Sequence, residues 1–100
     1  MSINYNTTLV TTTPYNIIST DEVVLVKVAA AASVILPVIA AGKNSAFYIK
    51  DTSGQALVNP ITITAIDGKL INGIAFALIN GNFSHLQVMW TGFEWETLSN

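Results

Sequence analysis

Between residues 51 and 73 the chain reads DTSGQALVNPITITAIDGKLING. Short runs in which Ile alternates with Thr are set between turn dipeptides. Asp67-Gly68 and Asn72-Gly73 both accept positive φ, and Asn80-Gly81 follows a few residues later. A period of two places Ile61 and Ile63 on one side of a strand and Thr62 and Thr64 on the other. Asn59-Pro60 opens that strand at a position where a missing N–H does no harm.

The same pattern runs along most of the chain. In residues 23–28, Val24, Val26 and Val28 point one way and Val23, Leu25 and Lys27 the other. Residues 29–32 are four alanines, too few to hold a helix alone, and read as a tight crossing before a strand closed by Leu36-Pro37. After a loop over residues 40–44, Phe47 and Ile49 alternate with Tyr48 and Lys50, and residues 51–54 turn the chain. Ile74, Phe76 and Leu78 share a face opposite Ala75 and Ala77. Leu86, Val88 and Trp90 oppose His85, Gln87 and Met89, and past Thr91-Gly92, Trp95 and Thr97 oppose Glu94, Glu96 and Leu98.

About seven short strands with turns every eight to twelve residues predict an all-β fold, a compact antiparallel sandwich or small barrel. Residues 1–14, rich in Thr and Asn, read as an extended arm or edge strand, and residues 15–100 as a single β-domain.

Composition then bears on the surface. Hydrophobic residues are 51% of the chain and charged ones 10%, against roughly 25% charged in ordinary soluble domains. A domain of 100 residues has much surface for its volume, and four Lys with six acids cover little of it. Strands that are apolar on both faces ask for a second subunit. The chain is therefore expected to self-associate, with Val24, Val26, Ile74, Phe76, Leu78, Trp90 and Trp95 as candidate interface residues. Ile3, Tyr5 and Leu9 are candidate docking residues on the arm.

Chemistry has few footholds. Arg is absent, the four Lys are scattered and the net charge is −2, so there is no basic footprint for nucleic acid. Without cysteine there is no thiolate metal site and no thiol nucleophile. Residues 23–41 are apolar enough to suggest a membrane span, but Lys27, Ser33 and Pro37 interrupt them, and no membrane partner is expected. His85 is the lone histidine and reads as a strand-face residue, so no metal site is expected. Glu94 and Glu96 share a strand face, the arrangement of a solvated edge more than of a glycosidase pair. No G-x-S-x-G turn or phosphate-cradling glycine loop occurs. Trp90, Trp95, Phe93 and Tyr48 could stack on a sugar, although aromatics on strands more often serve core or interface. No catalytic residue and no cofactor is expected.

The order of certain segments resembles the small β-rich modules of tailed-phage virion proteins, found in tail fibres, tailspikes and capsid decoration proteins. The segments are YNIISTD (15–21), VVLV (23–26), VILP (34–37), AG (41–42), FYIKDTSG (47–54), NPITIT (59–64), GKLING (68–73) and GFEW (92–95). The resemblance implies a non-enzymatic structural role, a homotrimer, and a place in the virion after assembly in the host cytoplasm. Its partner is then the major capsid protein or another virion protein. With no shaft segment or second domain in the sequence, a head decoration or cement protein is expected before a tail-fibre module that binds a host cell-surface glycan.

Overall fold

The computed structural model describes residues 5–40, 42–43 and 45–98. They form nine strands and no helix: β1 (Thr7–Val10), β2 (Tyr15–Asn16), β3 (Val23–Val26), β4 (Ala32–Leu36), β5 (Ser45–Asp51), β6 (Ile61–Ala65), β7 (Ala77–Ile79), β8 (His85–Trp90) and β9 (Trp95–Leu98). Five strands make one sheet in the order β1-β3-β5-β8-β9, and four make a second in the order β2-β4-β6-β7. The all-β expectation holds. The antiparallel arrangement does not, and neither sheet closes into a barrel.

The first six strands alternate between the two sheets. Each therefore pairs in parallel with the strand two before it: β1 with β3, β3 with β5, β2 with β4 and β4 with β6. A parallel pair needs a crossover rather than a hairpin, and here each crossover is itself a strand of the facing sheet. Only the last third of the chain runs antiparallel, with β7 on β6, β8 on β5 and β9 on β8. Turn spacing alone does not distinguish a chain that doubles back beside itself from one that winds across to a facing sheet.

The core lies between the sheets. Period-two alternation sends Val24, Val26, Phe47, Ile49, Val88, Trp90 and Trp95 inward from the five-stranded sheet. Val34, Leu36, Ile61, Ile63 and Ile79 meet them from the other. The Trp90 and Trp95 rings lie 5.4 Å apart at 59°, and Phe47 lies 6.3 Å from Trp95, tilted contacts that satisfy the ring quadrupoles. Residues 23–40, within the most apolar stretch of the chain, are broken into β3 and β4; among the described residues no helix is long and apolar enough to cross a membrane.

The described part of the N-terminal arm is built into the fold. Residues 7–10 form the edge strand of the larger sheet, with Val10 buried in the core. The Asn6 N–H donates to Glu22 and its side-chain amide donates to the Thr20 carbonyl.

Turns follow the dipeptide signals in part. Asn72 (φ 53°) and Gly73 (φ 80°) are both in the left-handed region, the pair a tight primed turn requires, and Ile71 and Ile74 bridge across it. Near Asn80-Gly81 the positive φ falls instead on Phe83, at 58°.

Candidate functional site

Two buried carboxylates are the first place to look for chemistry, and both are locks on turns. Asp51, at the end of β5, accepts from the Ser53 hydroxyl (2.8 Å) and from the N–H groups of Gly54, Ala56 and Phe83 at 2.9–3.1 Å. Asp21 accepts from the Thr8 hydroxyl (2.7 Å), the Tyr15 hydroxyl (2.6 Å) and the Ile18 N–H (3.0 Å). Burial pushes each carboxyl up, but these donors favour the ionised form and together win. Both pKa values lie below the ordinary carboxylate value. Burial, then Asp21, raises Tyr15. Every oxygen of the two carboxylates is thus engaged by the chain's own donors. No group of three or more His, Asp or Glu able to hold a metal ion occurs among the described residues.

The candidate interface residues divide into two sets. Val24, Val26, Trp90 and Trp95 are corrected: they are 0–4% exposed and fill the core of the single chain, so they offer nothing to a neighbour. Alternation separates the two faces of a strand; which face turns inward depends on the facing sheet. Ile74, Phe76 and Leu78 remain on the surface, at 58%, 43% and 40% exposure. Only Leu78 lies in a strand, because the paired strand begins at Ala77 and its inward positions go to Ala77 and Ile79. The three border a groove of about 320 Å³ between β7 and the β8–β9 edge, with Leu86 on its far side. Of the arm residues, Tyr5 and Leu9 are exposed, and Ile3 lies outside the described residues. The aromatic platform also changes, since its two tryptophans are buried while Tyr48 and Phe93 are exposed.

A second surface was not anticipated. The outer face of the five-stranded sheet is built by side chains that alternation turns away from the core, and register aligns them in three rows. Leu9, Leu25, Lys50 and His85 form one; Thr7, Val23, Tyr48, Gln87 and Leu98 the next; Ala46, Met89 and Glu96 the third. Tyr5 stands edge-on to Tyr48 with centroids 6.4 Å apart. Between them, Val23, Leu25, Lys50 and His85 outline a shallow cavity of about 340 Å³. Most of this face is apolar. The outer face of the four-stranded sheet presents Asn16, Ser33, Thr62 and Thr64, with Ile35 and Leu78. The signal for the apolar face was legible in Tyr48 and Leu25, each opposite a strictly inward partner in its own strand.

No protein-family model matches the chain, and no curated protein matches it.

Proposed function

We propose that the chain is a non-enzymatic structural protein of a phage particle, a trimeric decoration or cement protein bound to the major capsid protein or another virion protein. One observation carries the reading. The core is complete within one chain, with eighteen described apolar residues buried, and yet Ile74, Phe76, Leu78, Leu9 and Tyr48 are still exposed. Apolar patches left after the core is satisfied mark surfaces made for association. The segment order shared with virion modules supplies the particle, and the scarcity of charge supplies the self-association. The carboxylates serve turns, which suits a part whose work is to be rigid.

The test is molar mass in solution together with co-sedimentation on phage heads that lack their decoration protein. A mass three times that of the single chain and retention on heads are expected. A chain that runs as a monomer at every concentration and passes the heads by overturns the reading.

A second reading, a tail-fibre module that binds a host glycan, is favoured by Phe83. Its ring is exposed, a Cβ at Gly54 would run into it, and its N–H is held by Asp51. A cavity of about 470 Å³ beside it is lined by Asn80, Ser84 and His85, the neutral polar groups and aromatic face that a sugar uses. Silence across a broad glycan array counts against it.

A further inference from the structure

We propose that the outer face of the five-stranded sheet is where copies of this chain meet, with Lys50 of each copy brought against Glu96 of the next. The inference deepens the assembly reading above and rests on it; what it adds is the surface and its polarity.

A sheet face in water alternates polar side chains outward, as the four-stranded sheet does with Asn16, Ser33, Thr62 and Thr64. The five-stranded sheet turns Val23, Leu25, Tyr48, Met89 and Leu98 outward among Thr7, Gln87, His85 and its two charges, whereas only Ile35 and Leu78 are apolar on the other face. Backbone twist and pairing impose no such choice, so it is the side chains that mark this face for cover.

Five strands about 4.8 Å apart and three rows about 6.8 Å apart give a face on the order of 24 by 20 Å, or roughly 500 Å². That is within the roughly 300–600 Å² of the largest patch on a typical monomer, which is often functional. A standard interface takes roughly 800 Å² of accessible surface from each partner. Corrugation by the side chains, with Tyr5 standing on Tyr48 at the centre of the face, raises the accessible area above the flat footprint toward that value.

The charges on this face select a second copy as its occupant. Beside His85, the face carries one cation and one carboxylate, Lys50 and Glu96, in opposite outer rows and two strands apart. Strand and row spacing put them on the order of 17 Å from each other, too far to pair within one chain. A face whose rows carry one charge of each sign, with Tyr48, Gln87 and Met89 between them, can pair with another copy of itself. Lys50 stands on the middle strand and Glu96 on the edge strand; with Lys50 of each copy against Glu96 of the next, and not both pairs shared by the same two copies, the proposed contact is heterologous, the kind that closes a ring.

The experiment is light scattering after size exclusion on the full chain and three sets of variants, with far-ultraviolet circular dichroism on each. Leu25→Lys with Tyr48→Lys is expected to bring the mass down to that of a single chain, with the spectrum unchanged. Ile74→Lys with Phe76→Lys, in the groove, is expected to keep the assembled mass. Lys50→Glu and Glu96→Lys are each expected to weaken association about tenfold, and the two together to restore it. The charge exchange decides the matter even if the sheet-face variant does not fold, because both residues lie at the rim of the apolar rows. If the groove variant dissociates while the sheet-face variant stays assembled, or if the double exchange fails to restore what the single ones lose, this surface is overturned and the assembly reading stands. A wild-type protein that stays monomeric at high concentration overturns both.

Discussion

The two sheets are alike on the inside and unlike on the outside. Inward, both present buried apolar residues along their strands, Val24 and Ile49 on one, Val34 and Ile63 on the other, with the rings of Phe47, Trp90 and Trp95 added on the larger sheet. Outward, the four-stranded sheet presents mainly hydroxyls and an amide, and the five-stranded sheet presents Val23, Leu25, Tyr48 and Met89. Folding a single chain requires only that the inner faces match. The difference between the outer faces therefore carries no folding requirement, and it is on this difference that the proposed association rests.

The comparison is sharpened first by inner-face truncation. Trp95→Ala is expected to lower the unfolding free energy by about 3–5 kcal/mol, read from urea denaturation, because the indole packs between Phe47 and Trp90. The matching cut from the smaller sheet, Ile63→Ala, is expected to cost about 2–5 kcal/mol. If Leu25→Ala, measured under dilute conditions, costs as much as either, the outer face belongs to the core and the comparison fails.

Next comes the turn at the end of β5. Asp51→Ala leaves the N–H groups of Gly54, Ala56 and Phe83 without their acceptor, an expected loss of about 3 kcal/mol. Asp21→Ala strands one N–H and two hydroxyls that can turn to water, so about 2 kcal/mol is expected. Equal losses would show that the two turns are not as differently built as their donors suggest.

The same carboxylates set an acid limit. Both have folded-state pKa values below the unfolded one of about 3.9. Their contribution is thus fully present above that value and is lost as pH falls through the folded pKa. Denaturation midpoints are expected to be flat from neutral pH to about 5 and to drop below about 4, with a shallower drop in Asp51→Asn. A drop that begins near neutral pH would assign the limit to another group.

The smallest effect is expected on the polar outer face. Thr64→Lys should change stability by no more than about 0.5 kcal/mol and leave the assembled mass as it is. Should it dissociate the protein as readily as Tyr48→Lys, the distinction between the two faces is broken.

Much of the local structure was legible. Val23–Val26, Ile61–Ala65 and the Asn72-Gly73 turn stand where alternation and turn chemistry place them. One further signal lies in the sequence: the dipeptides Asp67-Gly68, Asn72-Gly73, Asn80-Gly81 and Thr91-Gly92 all follow β6, in the part of the chain that runs antiparallel. The segments between the first five strands, such as residues 11–14 and 27–31, carry no such pair. The candidate site was half legible. Of the candidate interface residues, Ile74, Phe76 and Leu78 are exposed, while Trp90 and Trp95 are buried, because a large aromatic on a strand looks the same in sequence whether a facing sheet or a neighbouring copy covers it.

The amino-acid order by itself determined that this chain is made of strands, where most of them lie, and which side chains share a face, since φ/ψ preference and period-two alternation act within a few residues. Only the tertiary structure decided which face turns inward and that successive strands cross between sheets instead of pairing as neighbours. Those outcomes depend on what stands opposite and beside each strand. Register partners such as Ile49 and Leu86, or Val34 and Ile63, come from distant parts of the chain that no local preference connects.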